Sequence, residues 1–295
     1  MATIIENIQT LQSIKTDIKG AIISKGGSVG NDFRTYAQAI TDLPSGGGGG
    51  TEMEDSFVMR TLGEYYSNDR VSKVGSYAFT MCSLTSVNFP NCTKVEQSAF
   101  TYCYSLTSVN LPNCTNIDTR AFEYCKALTS VDMPNCTSVG LSAFRGCKAL
   151  TSVDMPNCTY IGYSAFANCE SLTYINFTNC SYISTGAFRY CYSLTSVNFP
   201  NCKKIEDDAF AYCYSLTSVY IPNCSYISYD VFNNCSNLTQ VYLNSVTSVT
   251  YISSTTFSNC PKLTSVYVPS SLVNAFKVKS YWSSLSSKIV AYTEG

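Results

Sequence analysis

Apolar residues recur along most of this chain at one fixed interval. Phenylalanine falls at 79, 100, 122, 144, 166, 188, 210, 232 and 257, and leucine at 84, 106, 128, 150, 172, 194, 216, 238 and 263. The step is 22 residues, apart from one of 21 in the Phe series and one of 25 in both. Regular self-similarity at this length outranks any local signal and predicts stacked, near-identical rungs. Within one rung Leu106, Val109, Leu111, Cys114 and Ile117 spell L-x-x-L-x-L-x-x-C-x-x-L. A short strand there turns alternate residues inward, and a bend follows.

The same unit also carries A-F-x-x-C before the strand and P-N-C after it, as AFTYC and LPNC. With these residues the chain resembles the BspA-like class of leucine-rich repeats, whose units typically read A-F-x-x-C-x-x-L-x-x-I-x-I-P. The resemblance covers about two thirds of the chain, residues 71–269, and recurs nine times. It implies an α/β solenoid of nine 22-residue repeats, right-handed, with a parallel sheet on its concave face. It also implies membership of a family associated with surface binding rather than catalysis. The second Cys and the 22-residue length depart slightly from the usual unit. Nine rungs at about 4.8 Å each would make a rod about 40 Å long.

The chain before the array reads differently. Ile4, Ile8, Leu11, Lys15, Ile18 and Ile22 alternate steps of four and three, the seam of a coiled coil with one Lys in it. Ile at both seam positions leans toward a trimer or larger, and the same stripe would also serve a hairpin folded onto the next helix. Gly26, Gly27 and Gly30 break the first helix, and Asn31 or Asp32 caps a second through Leu43. The line IKTDIKGAIISKGGSVGNDFRTYAQAITDLPSGG resembles the short segments that precede variable domains in tail-fibre-like and other virion proteins of tailed bacteriophages. That resemblance implies anchoring to other virion proteins through residues 1–43 and localisation on a particle assembled in host cytoplasm. A cell-surface location is the alternative. Residues 44–50 form a Gly-rich linker, with an amino-terminal cap expected over 51–70 and a carboxy-terminal cap over 270–295. In that last part SSLVNAFKVKSYWSSLSSK suggests short helices, KIVAY a closing strand, and Trp282 a plug for the last rung.

Composition narrows the chemistry. Net charge is −1, from 19 Lys+Arg against 20 Asp+Glu, with no basic stripe, so nucleic acid is not an expected partner. Histidine is absent, which removes the commonest general base and metal ligand. No run approaches the length of a membrane helix, and MATIIENIQTLQSIK has neither a basic nor an apolar signal region. All 16 cysteines fall in two columns, nine in A-F-x-x-C and seven in P-N-C, and none form C-x-x-C. They read as two buried ladders of free thiols used for packing, with no metal and no cofactor expected. Glu206, Asp207 and Asp208 read as a solvated corner, and there is no G-x-S-x-G or phosphate loop. The sequons at Asn91, Asn113, Asn135 and Asn157 arise from P-N-C-T, where the Asn serves the turn. Catalysis is therefore not expected.

What varies from rung to rung is the outward side of the strands. One column runs Asn88, Asn110, Asp132, Asp154, Asn176, Asn198, Tyr220, Tyr242, Tyr267, and its neighbour is mostly Ser, broken by Tyr174 and Gln240. Tyr220, Tyr242 and Tyr267 form an aromatic strip, and with Tyr174, Asn176, Asp132 and Asp154 they are the candidate ligand-binding residues. The expected ligand is a host-surface glycan or protein. A second aromatic set, Tyr160, Tyr163, Tyr182, Tyr226 and Tyr229, belongs to the turns after the strands.

Overall fold

The computed structural model describes residues 65–293. The expected helical segment 1–43, its seam from Ile4 to Ile22, the linker 44–50 and most of the 51–70 cap lie outside the described residues.

Each rung has three sides, and all three join it to its neighbours. The first is a three-residue strand such as Ser108–Asn110, parallel and in register with Ser86–Asn88 before it and Ser130–Asp132 after it. The second is a two-residue strand such as Asn116–Ile117. Nine of these, from Lys73–Val74 to Tyr251–Ile252, make one unbroken parallel ladder. The third, built from A-F-x-x-C, contains no strand yet is tied just as closely. Phe100 N–H donates to the Ala121 carbonyl at 2.7 Å and Tyr102 N–H to Glu123 at 2.8 Å. Between them, Thr101 N–H donates to Ser98 at 3.2 Å within the rung.

That interleaving needs left-handed backbone at two positions per rung, four residues apart. Ser98 and Tyr102 have φ of 55° and 62°, and Gly146 and Gly186 fill the same columns with φ of 73° and 64°. Among the described residues fifteen other than glycine adopt this conformation, each at a cost of about 1–2 kcal/mol. The bonds between rungs offset that strain.

The sheet of three-residue strands is paired in three pieces: Tyr65–Ser67 through Ser130–Asp132, then Ser152–Asp154 with Tyr174–Asn176, then Ser196–Asn198 onward. Tyr65–Ser67 pairs with Ser86–Asn88. The array therefore has ten such rungs among the described residues rather than the nine expected, since the YYS strand lacks the L-T-S-V-N phrase that marks the others.

Inside, the A-F phenylalanines stack ring on ring, from Phe79–Phe100 at 4.8 Å between centroids to Phe232–Phe257 at 5.4 Å. Among the described residues helix is confined to the carboxy-terminal end, where the short helix Val273–Val278 and the 3-10 segment Ser280–Lys288 precede the strand Ile289–Ala291. That strand pairs with Ser265–Val268 and closes the sheet. Trp282, fully buried, ends the phenylalanine stack, 6.3 Å from Phe257. Its indole N–H donates to the Thr250 carbonyl at 2.7 Å. Thr250 follows the insertion that makes the 25-residue step, and its hydroxyl donates to the Cys224 carbonyl at 2.7 Å.

All 16 cysteines are free and buried. They also do what no alkyl group does. Each thiol of the A-F-x-x-C column from Cys103 onward donates to the Phe carbonyl of the preceding rung, as Cys147 to Phe122 at 3.2 Å. Each P-N-C thiol donates two residues ahead, as Cys114 to Asn116 at 3.3 Å. The sequence reading of small hydrophobes omitted this polar role.

Candidate binding surface

The strand Tyr174–Asn176 shows how the surface is made. Ile175 points into the core, so Tyr174 and Asn176 stand on the outer side, and the parallel register sets them against Ser152 and Asp154. Asn176 Nδ2 donates to Asp154 Oδ1 at 2.8 Å, and the Thr178 hydroxyl donates to Asn176 Oδ1 at 2.7 Å. Asp132 occupies the same column one rung earlier and is exposed. Nearer the amino end the column is an amide ladder, with Asn110 Nδ2 donating to Asn88 Oδ1 at 2.8 Å.

The aromatic strip forms at the other end of the sheet. Tyr220, Tyr242 and Tyr267 are in register on three successive strands. Tyr242 and Tyr267 stack at 4.6 Å and 15°, whereas Tyr220 is tilted by 47° at 5.9 Å from Tyr242. Tyr292 sets its edge against Tyr242 and Tyr267, at 6.4 and 6.5 Å. The Tyr242 hydroxyl donates to Gln240, which donates in turn to the Tyr267 hydroxyl at 3.4 Å. Much of the ring area of this strip is turned on itself. Of the three, Tyr220 is the exposed ring.

A longer column stands on the two-residue strands. Tyr160 stacks on Tyr182 at 5.6 Å, the Lys204 ammonium lies 5.6 Å from the Tyr182 ring and 5.1 Å from Tyr226, and Tyr226 stacks on Tyr251 at 5.0 Å. Tyr281 of the cap continues it at 5.3 Å. Burial and a 2.7 Å bond to Glu206 push the Tyr182 hydroxyl up to about 12. The sequence grouped Tyr160, Tyr182 and Tyr226 but missed Lys204 and Tyr251. The 22-residue register carries Lys204 into the column, and the 25-residue step carries Tyr251 there.

The carboxylates set aside in the sequence are dispersed among partners. Glu206 pairs with Lys204 at 2.7 Å, Asp208 with Arg189 at 3.7 Å, and Asp207 accepts from the Ser228 hydroxyl. Among the described residues no group of three or more His, Cys, Asp or Glu is placed to hold a metal ion, and no helix is long and apolar enough to cross a membrane. The sequon amides are occupied, with Asn113 Nδ2 donating to the Pro90 carbonyl at 2.8 Å and Asn135 Nδ2 to Pro112 at 2.9 Å.

The sequence model of the BspA type leucine rich repeat region (6 copies) matches residues 54–173 and 159–287. The chain belongs to this family. The match takes in the whole BspA-type array and begins ahead of Tyr65–Ser67. No curated protein matches the chain. Among solved structures, the chain is similar to a leucine rich cell surface protein from Faecalibacterium prausnitzii at 23% identity, over 76% of this chain and 82% of that one, with a TM-score of 0.30. The T. pallidum leucine rich repeat protein is 24% identical over 70% and 75%, with a TM-score of 0.39. A leucine-rich repeat protein from Eubacterium ventriosum is 18% identical over 71% and 80%, with a TM-score of 0.46.

Proposed function

We propose that this BspA-type chain is a non-enzymatic adhesive protein whose three-residue-strand sheet binds a ligand on a host surface, a glycan or a protein. One observation carries the reading. The outward columns of that sheet change from amide to carboxylate, back to amide and then to aromatic along an otherwise repetitive array, while each inward strand position from Val87 onward is a buried apolar residue. Two stations on it are candidates: Tyr174 with Asn176, Asp132 and Asp154, and the strip Tyr220, Tyr242 and Tyr267. Residues 1–43 would hold the protein on a particle, as a homo-oligomer with a trimer favoured, in contact with other virion proteins of a tailed bacteriophage. Several copies side by side would turn weak single contacts into firm attachment.

Mass spectrometry of purified virions, with surface labelling of producing cells in parallel, tests the setting. Recovery from virions supports the particle reading. Recovery from the cell surface alone replaces it with a cellular adhesin that uses the same sheet.

A further inference from the structure

Three features of the Tyr174 station point to one ligand chemistry. The first is the ring itself. Tyr174 is 55% exposed, and its register partner is Ser152, with Ser196 at the equivalent place one rung on. Among the described residues no ring, cation or hydrogen-bonding group is recorded against it, in contrast to Tyr242 and Tyr267. A ring with an open face attracts an apolar sugar face or a cation.

The second is charge. Ion pairs engage Glu96, Asp118, Glu123, Glu170, Glu206 and Asp208, but none is recorded for Asp132 or Asp154 among the described residues. Asp154 gives one oxygen to Asn176, and Thr178 fixes the direction of that amide. Two exposed carboxylates thus stand without an ion pair near an open ring, Asp154 on the strand paired with that of Tyr174 and Asp132 one rung before it. Their complement is an ammonium group. The third is the company of short hydroxyl side chains: Ser130 and Ser152 precede Tyr174 in its column, and the exposed Thr151 and Thr173 hydroxyls donate to the Thr129 and Thr151 carbonyls at 3.2 and 3.1 Å. It suits a flat, hydroxyl-rich ligand. A lysine side chain of a peptide would bring the charge but would find no deep apolar anchor point among these residues.

We propose that Tyr174, Asp132, Asp154 and Asn176 form a subsite for a sugar bearing a free amine, within a surface glycan. This rests on the reading of the sheet as the ligand-binding face. The sugar ring lies on Tyr174, its ammonium faces the two aspartates, and the Asn176 amide and neighbouring hydroxyls meet its hydroxyl groups.

Calorimetric titration of the full chain with a glucosamine oligomer, its N-acetylated form, a neutral glucose oligomer and a lysine oligopeptide tests the assignment. The glucosamine oligomer binds, and the acetylated and neutral sugars bind about tenfold more weakly or not at all. Tyr174→Ser and the pair Asp132→Asn with Asp154→Asn each weaken glucosamine binding about tenfold, with circular dichroism unchanged. Absence of glucosamine binding, equal binding of the acetylated oligomer, equal binding of the lysine peptide, or indifference to Tyr174→Ser would each overturn it. Host attachment by the parent, by Tyr174→Ser and by Ser218→Arg, a substitution on the strand of Tyr220 two rungs past Tyr174, separates the two levels. Attachment lost only in Ser218→Arg removes the amino-sugar subsite and leaves the sheet as the binding face. Attachment kept in all three removes both.

Discussion

The Cys103 thiol donates to the Phe79 carbonyl at 2.8 Å, and the same bond recurs down the column to Cys260 and Phe232 at 3.0 Å. Each such carbonyl is buried and also accepts a backbone N–H within its own rung, as Phe122 does from Cys125 at 3.2 Å, so the thiol is its second donor. Cys147→Ala, which removes that second donor from Phe122, should destabilise the array by about 0.5–1.5 kcal/mol in chemical denaturation. A change below a few tenths would return the thiols to the role of plain filler.

The same burial governs how the thiols respond to pH. It pushes Cys158 and Cys260 up to about 11 and Cys114 up to about 12, against the ordinary value of 9.0. Below pH 9.0 both folded and unfolded chains hold neutral thiols, and stability keeps its full value. Above it the unfolded chain ionises first, so stability falls until the folded thiols titrate in turn. Denaturation midpoints should be level below pH 9 and drop steadily above it. Thiol titration of the native protein should find few reactive groups, rising toward the full set of 16 on unfolding.

The phenylalanine stack makes stability local. Phe144 has a ring on each side, at 5.1 Å both ways, whereas Phe257 has Phe232 on one side and Trp282 on the other. Phe144→Ala should cost about 3–5 kcal/mol and lower exchange protection in the rungs to either side. Phe257→Ala should release mainly the last rung and the cap. Equal loss of protection throughout the array in both variants would contradict a chain of nearest-neighbour contacts.

The inward half of this fold was legible because every rung repeats it: Phe144, Leu150 and Val153 each answer to a column of equivalents. The ten-rung count was not, since Tyr65–Ser67 pairs through its backbone and carries none of the phrase. The left-handed positions were also hidden, because glycine marks them only at 146 and 186 while Tyr, Ser, Asp and Asn fill most of the rest. Of the candidate site, the register of Tyr220, Tyr242 and Tyr267 could be read from spacing. That their rings meet one another and Tyr292 could not, because ring orientation depends on the cap that follows.

Met81 provides a clean test of the backbone strain. It is 60% exposed with φ of 58°, so its side chain contributes little packing while its backbone sits where a Cβ is penalised. Met81→Gly should remove the penalty, offset in part by the greater freedom glycine gives the unfolded chain. A net gain of about 0.5–1 kcal/mol is expected by denaturation. A loss of similar size would mean that the rung bonds already favour this backbone without strain.

The two stations on the sheet make opposite predictions for single substitutions. Tyr242 is held by Tyr267, Tyr292 and Gln240, so Tyr242→Ser should cost about 0.5–1.5 kcal/mol of stability through lost ring contacts. Tyr174 has no recorded ring partner and more than half its surface in solvent, so Tyr174→Ser should leave the melting temperature within error. Attachment to host cells should follow the reverse order. A ring already engaged on its faces has little area to offer a ligand, whereas an open one has most of its own. Tyr174→Ser should therefore reduce attachment and Tyr242→Ser should spare it. Tyr220, exposed and tilted away from the stack, should fall between them. If Tyr242→Ser abolishes attachment while Tyr174→Ser does not, the ligand must displace Tyr292 and open the strip, and the binding station moves to the carboxy-terminal end of the sheet.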